Sequence, residues 1–157
     1  AVPYDAISGR GPAVVHSEAG DLGVAISYEV FFAGRARAAV RDGGAVLLVP
    51  TNASSYASTQ MPALELGAAR LRAIETGRWV AQAAPTGFTA LVDPRGHVTA
   101  RTDLGRRAVL HGRVALRRGL TPYARHGDRP VVLAALLALI AASALTTRRG
   151  RSSPDPR

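Results

Sequence analysis

The sequence predicts an α/β domain built on parallel strands, and three observations carry that expectation. Leu22–Ile26 and Ala45–Val49 are short, continuously apolar runs, as strands buried on both faces must be. Between them lies a mixed apolar and basic stretch of helical character, and beyond them a second helical stretch leads into further strands. Strand, helix and strand in this order, within 157 residues, fit a parallel βαβ unit inside one compact domain.

Residues 1–20 hold Pro3, Gly9, Gly11, Pro12 and Gly20 with little periodicity and are expected to be irregular. Ala1-Val2-Pro3-Tyr4 has neither the basic region nor the apolar core of a signal peptide, which predicts a chain cut from something longer. From Glu29 to Arg41, Val30, Phe31, Ala33, Ala38 and Val40 alternate with Arg35, Arg37 and Arg41, and Asp42-Gly43-Gly44 supplies a stop, so a single helix of about three turns is predicted. Pro50–Thr59, rich in Ser, Thr, Asn and Ala, reads as a loop. Leu64, Ala68, Leu71 and Ile74 then recur at helical spacing until Gly77, predicting an amphipathic helix over Met61–Thr76. Trp79–Ala83, Phe88–Val92, His97–Arg101 and Ala108–Leu116 are predicted strands, with a turn at Asp93-Pro94-Arg95-Gly96.

All 20 basic residues are arginine and there are 0 cysteines, so chemistry that needs a lysine or a thiol cannot be completed by this chain alone. The net charge of +9 is spread along the chain and not interleaved with aromatics, only 5% of residues, so nucleic acid is not an expected partner. His16, His97, His111 and His126 have no metal-ligand spacing, and no glycine-rich phosphate loop is present; no metal or cofactor is expected.

Beyond Pro130 the composition changes. Val131–Leu145 has no charge and only Ser143 as a hydrogen-bonding side chain, and Arg148, Arg149 and Arg151 follow. The run is apolar on every face and flanked by positive charge, which predicts a transmembrane helix over residues 130–147. By the positive-inside rule the domain at 1–129 then lies outside the cytoplasm, and a short basic tail, 148–157, lies disordered inside.

The candidate chemistry sits at Ser27-Tyr28-Glu29, where the first apolar strand meets the first helix. A side chain at such a junction is exposed by the sharp turn, and free amides at the helix start can hold a developing oxyanion. Simpler roles fit as well: serine is a common N-cap, a first-turn glutamate is favoured by the helix dipole, and Tyr28 can simply pack.

Four stretches taken in series resemble one family. "GVAISYEVFF" is similar to the nucleophile segment of the bacterial apolipoprotein N-acyltransferases, the membrane branch of the nitrilase (carbon-nitrogen hydrolase) superfamily, where Cys-Tyr-Glu is the usual triplet. "LLVPTNASSY" resembles that family's strand and Asn-containing loop, and "AARLRAIETGRWVAQAAPTGFTALVDPRGHV" its Arg-rich helix, following strand and Thr-Gly turn. "GLTPYARHGD" resembles the lead into its last membrane helix, and the loop and turn have an actinobacterial look.

The resemblance runs from about Ser8 to Leu145. It implies the carboxyl-terminal part of a four-layer α-β-β-α nitrilase-like sandwich, on the outer face of the plasma membrane. It implies transfer of a fatty acyl chain from phospholipid to the α-amino group of a diacylated lipoprotein's terminal cysteine, through an acyl-enzyme. Ser27 falls at the nucleophile position, and Tyr28 and Glu29 match residues important in the family. The family's base glutamate and lysine lie upstream of the residues present here, its cysteine is replaced by Ser27, and its Asp-Ala-Trp is Ala53-Ser54-Ser55. Two alternatives accompany this expectation: a paralogue that lost catalysis and binds lipoprotein or phospholipid, and an amidase acting on small amides.

Overall fold

In the computed structural model the described residues are 11 and 13–151, with side chains described as far as 144. Two compact units divide the chain, residues 1–124 and 125–157.

The first unit is built on one six-stranded sheet in sequential order: β1 Val14–Ser17, β2 Gly20–Val24, β3 Val46–Pro50, β4 Val80–Ala83, β5 Ala90–Val92 and β6 Val98–Arg101. β2, β3 and β4 are parallel; β1 pairs antiparallel with β2, and β5 and β6 continue antiparallel from β4. The expected βαβ unit is therefore present, with Leu22, Gly23 and Val24 opposite Val46, Leu47 and Leu48. Helix α1, Ala33–Arg41, makes the first crossover and α2, Met61–Thr76, the second.

Both helices cover the same face of the sheet. Leu47, Val49, Val80, Ala90 and Val92 meet Ala36, Ala39 and Val40 of α1 and Leu66, Ala69 and Ala73 of α2 in one buried cluster. The alanines bring helix and sheet backbones close. A Cβ on Gly44 would sit 2.8 Å from the Ala39 carbonyl oxygen and 3.0 Å from Gly23, contacts with backbone that cannot swing away. Gly44→Ala is expected to cost about 1–3 kcal/mol, read as a lower urea midpoint at unchanged slope.

On the other face, an irregular strip runs across the sheet, with Gly112 against Leu91 of β5 and Leu116 against Gly20 of β2. This strip is where the sequence predicts the strand Ala108–Leu116, and the structure corrects that expectation: no strand forms there. The segment crosses the strands instead of lying along an edge, so its backbone has no ladder to join. Leu22, Val24, Leu48, Ala81 and Leu91 on this face are only half-buried. The described residues thus supply one helix layer and one sheet layer of the expected sandwich.

Three further expectations are corrected. Residues 13–20 are not irregular, because β1 pairs there with β2; residues 1–10 and 12 lie outside the described residues. The single helix over 29–41 is a 3₁₀ turn, Ser27–Phe31, followed by α1, with extended Phe32 (φ −98°, ψ 109°) between them. In α2 the bounds agree with expectation but the buried face does not. Leu64, Leu71 and Ile74 are about half exposed, whereas Glu65, Arg72 and Thr76 are buried beside Ala69 and Ala73. Small side chains let that face approach the sheet, and its polar groups find internal partners: Thr51 for Glu65, Glu75 for Arg72, and the Arg72 carbonyl for Thr76.

The β5–β6 turn is held by Asp93, whose carboxyl accepts the His97 and Arg95 amides. These bonds, the His97 amide foremost, hold the carboxyl below its usual range.

The short helix α3, Pro122–His126, is capped by Thr121. The second unit contains α4, Arg129–Arg151, a helix of 23 residues. It coincides with the predicted membrane helix, yet among the described residues no helix is long and apolar enough to cross a membrane. At 1.5 Å per residue, the apolar stretch Val131–Leu145 spans about 22 Å, against a hydrocarbon core of about 30 Å. Of the predicted disordered tail, residues 148–151 are helical and 152–157 lie outside the described residues.

Candidate active site

Parallel strands deliver their carboxyl ends to one edge of a sheet, and open α/β sheets use that edge for ligands. Here the chain leaving β2 carries Ile26 and Ser27, that leaving β3 carries Thr51 and Asn52, and that leaving β4 carries Pro85. These residues, with Pro50 and Ala83, line an open, largely apolar cleft of about 500 Å³. A slightly larger hollow, about 570 Å³, lies at the opposite ends of the strands among Gly20, Asp21, Gly43, Ala45 and Arg78, and no hydroxyl side chain lines it.

Ser27 is the one non-glycine residue with positive φ, +49°, among the described residues. Side chains in that region carry a conformational cost of about 1–3 kcal/mol, which the surroundings must hold in place. The Ala25 amide donates to the Leu48 carbonyl at 3.0 Å, locking the chain to β3 two residues before the turn. Glu29 then folds back: its Oε2 accepts the Ile26 amide at 2.8 Å and Arg35 Nε at 3.1 Å. Its carboxylate therefore braces the turn that presents Ser27. The ion pair to Arg35 is more than a third exposed on both sides and adds little by itself. Ser27→Gly is expected to relieve the strain and stabilise the fold by about 1 kcal/mol, a rise of about 2–4 °C in Tm by calorimetry.

Tyr28 points outward, 60% exposed, and packs on Phe31 and Phe32 with ring centroids 5.2 and 5.6 Å away. With Ile26 and Phe32, both more than half exposed, it forms an apolar rim beside the cleft.

Two residues of the site are absent from the sequence expectation. The buried Thr51 hydroxyl lies 3.2 Å from Ser27 Oγ and donates to Glu65 Oε1 at 2.8 Å. Glu65 is 1% exposed, and its second oxygen, Oε2, is buried without a hydrogen-bond partner among the described residues. The cleft floor is fixed by the Thr51 amide on the Ala83 carbonyl and by Asn52 Oδ1, which accepts from the Ser54 amide and the Thr86 hydroxyl. Ser27 and Thr51 are thus brought together with Glu65, while Tyr28 and Glu29 surround them.

This arrangement of turn and sheet has solved counterparts. An amidase from Nesterenkonia sp. is similar at a TM-score of 0.50 and 28% identity, over 62% of this chain and 40% of that one. A variant of that amidase, at TM-score 0.51 and 27% identity, carries the acetamide moiety of fluoroacetamide covalently added at its active-site cysteine. Saccharomyces cerevisiae Nit3, a nitrilase-superfamily member, shares the fold at a TM-score of 0.53 and 24% identity.

In sequence, the apolipoprotein N-acyltransferase of Mycolicibacterium smegmatis is 36% identical over 83% of this chain and 22% of that protein. Those of Azotobacter vinelandii and Bordetella bronchiseptica are 37% and 39% identical, over 94% and 83% of this chain. The chain spans only 22–29% of the length of these three relatives. The model of the carbon-nitrogen hydrolases matches residues 4–119, from before β1 to the strip that recrosses the sheet. With that match taking in the mixed sheet, both helices and the strained turn at Ser27, the chain belongs to the carbon-nitrogen hydrolase family.

Proposed function

We propose that this chain supplies the nucleophile-bearing part of an apolipoprotein N-acyltransferase, with Ser27 attacking the acyl donor and Tyr28 and Glu29 supporting it. The observation that carries this reading is Ser27 itself, held at φ +49° at the mouth of an apolar cleft on the carboxyl edge of three parallel strands. The similarity to relatives named apolipoprotein N-acyltransferase supports the same reading. Ser27 Oγ forms an ester with the fatty acyl group of a phospholipid, and the α-amino group of a diacylated lipoprotein's terminal cysteine then takes the acyl group and frees the serine. The cleft's apolar walls suit an acyl chain, and the exposed rim of Ile26, Tyr28 and Phe32 suits its lipid surroundings.

The same proposal assigns α4 to the membrane. Val131, Leu133, Leu137, Leu139 and Ile140 are 57–73% exposed, an apolar surface that water disfavours and lipid accepts. The catalytic domain then sits on the extracytoplasmic face, and the arginines at the end of α4 on the cytoplasmic one.

The test is to express the complete gene product in a strain lacking its own N-acyltransferase. Mass spectrometry of lipoprotein amino termini should find a third acyl chain; termini that remain diacylated would sink the proposal. A second reading, hydrolysis of small amides, is supported by the likeness to the Nesterenkonia amidase and would require Ser27-dependent turnover of a soluble amide.

A further inference from the structure

The two antiparallel pairings beyond β4 return β6 to the direction of β4, so the chain leaving β6 at Arg101 emerges on the same edge as Ser27. Thr89 fastens it there. Its carbonyl accepts the Thr102 amide at 2.9 Å, its amide donates to the Thr102 hydroxyl at 3.2 Å, and its hydroxyl accepts the Ala84 amide at 3.1 Å. Residues 105–110 then form, with Ala83, Pro85 and Thr89, a second hollow of about 550 Å³. Ala83 and Pro85 also line the cleft that holds Ser27, so the two hollows share a wall.

Their chemistry differs. The Ser27 cleft is largely apolar, whereas the second hollow carries Arg106 and Arg107 beside Val109 and Leu110. No carboxylate among the described residues lines it, in contrast to the hollow at the far ends of the strands, where Asp21 accompanies the arginines. Arg106 meets Asp103 at 3.6 Å with both side chains 74% exposed, too long and too solvated a pair to hold the charge. Arg107 has no ion pair or hydrogen bond among the described residues. Val109, 81% exposed, adds apolar surface next to these charges. Two guanidiniums without an acid, against apolar side chains and continuous with the cleft of a nucleophile, suit a ligand that is an anion at one point and an acyl ester at the next.

We propose that Arg106 and Arg107 bind the phosphodiester of a glycerophospholipid whose acyl ester lies at Ser27. This rests on the reading of Ser27 as nucleophile and names the part of the donor that the chain selects. In such a lipid a short stretch of glycerol joins ester to phosphate, which matches two hollows meeting at one wall. A guanidinium stays charged at any working pH, and its planar fork meets phosphate oxygens two at a time. As the bond from Ser27 Oγ to the acyl carbon forms, the glycerol ester bond breaks, and the serine's proton ends on the departing glycerol oxygen. The lysophospholipid leaves with its phosphate. A neutral glyceride or a small amide offers neither arginine a partner, so the second hollow separates a phospholipid donor from both.

The test uses the complete gene product in nonionic detergent micelles. Native mass spectrometry reads binding of the dialkyl ether analogue of phosphatidylglycerol, which has no ester to cleave, and of the matching dialkylglycerol. Peptide mass reads acylation of Ser27 from phosphatidylglycerol and from diacylglycerol. Arg106 and Arg107 are exposed, so the fold should survive their replacement. Arg106→Gln with Arg107→Gln is expected to weaken ether-phospholipid binding and slow acylation from phosphatidylglycerol by about tenfold or more, as loss of charge-assisted hydrogen bonds implies, with both glyceride readings within about threefold. Arg41→Gln with Arg95→Gln removes the same charge at the opposite ends of the strands and should change every reading by less than about threefold. No loss in the first pair, equal loss in both pairs, or equal loss of phospholipid and glyceride readings would overturn the proposal. Ether-phospholipid binding weakened by the first pair alone, with Ser27 never acylated by any lipid, would sustain the phosphate site while removing the acyl-transfer reading.

Discussion

Ser27→Ala is expected to lower acyl transfer by about 10⁴-fold or more while leaving the fold intact, because loss of a nucleophile removes the covalent route outright. Little in the packing depends on the hydroxyl: its contact with Thr51 is a long 3.2 Å, Ser27 is half-exposed at a turn, and the turn is braced by the Glu29 carboxylate and by the Ala25 amide. Thermal unfolding should therefore shift by no more than about 2 °C, which separates chemistry from stability. Ser27→Cys should act in the opposite sense. A thiol with a pKa of about 8.5 is partly ionised at neutral pH and less dependent on proton removal, so transfer should rise by about tenfold or more. A non-catalytic binding module predicts otherwise: Ser27→Ala would leave the phenotype unchanged, and only Ser27→Cys would create activity. Mass spectrometry of lipoprotein termini from the three strains reads both outcomes.

The parts of this molecule governed by local chemistry were legible in its sequence. The apolar runs gave β2 and β3 and their parallel pairing, and the spacing from Met61 with a closing Gly77 gave α2 to the residue. Ser27 was singled out by resemblance to a family's nucleophile segment, since its place after a buried strand fits an N-cap as well, and the structure holds it at positive φ. What escaped was set by the fold. Leu64, Leu71 and Ile74 mark the more apolar side of α2, but the sheet takes the side with Ala69 and Ala73, since small residues allow closer packing. That inversion hid Glu65, which on the expected face would have been a solvated carboxylate. Thr51 reaches Ser27 from 24 residues away only because β3 lies beside β2 in parallel register. A glutamate and an arginine on the flank of Ala69 and Ala73 were the available signal.

The helix break at Phe32 has the same origin. Propensity favours continuity from Glu29 to Arg41, yet the 3₁₀ turn, whose start the Glu29 side chain caps at the Ile26 amide, ends with the Phe32 amide on the Glu29 carbonyl and Phe32 extended. The turn carrying Ser27 is separated from α1 as a result.

The largest expected loss of stability belongs to Arg78→Met. Arg78 is 4% exposed and donates to three backbone carbonyls: Gly44 through Nε at 2.9 Å, Thr76 through Nη1 at 3.4 Å and Gly119 through Nη2 at 2.6 Å. Those carbonyls belong to the turn before β3, the end of α2 and the strip that recrosses the sheet, so one guanidinium joins three segments far apart in the chain. Its pKa is lowered, by burial first and by the charge of Arg117 second. A base held below its ordinary value binds its proton less firmly folded than unfolded, so the charge is a net cost at neutral pH, relieved only as pH climbs through the guanidinium range. The hydrogen bonds must outweigh that cost. Methionine keeps the length and the apolar stem but leaves the carbonyls without donors, a loss of about 2–4 kcal/mol. Calorimetry should then show a fall of about 4–16 °C in Tm. Arg117→Gln should act in the other direction, since it removes the repulsion yet keeps the Arg117 amide's bond to the Ala45 carbonyl. A stable Arg78→Met protein, with Arg117→Gln unfolding earlier than the unaltered chain, would mean that Arg78 serves as a charge and not as a clasp.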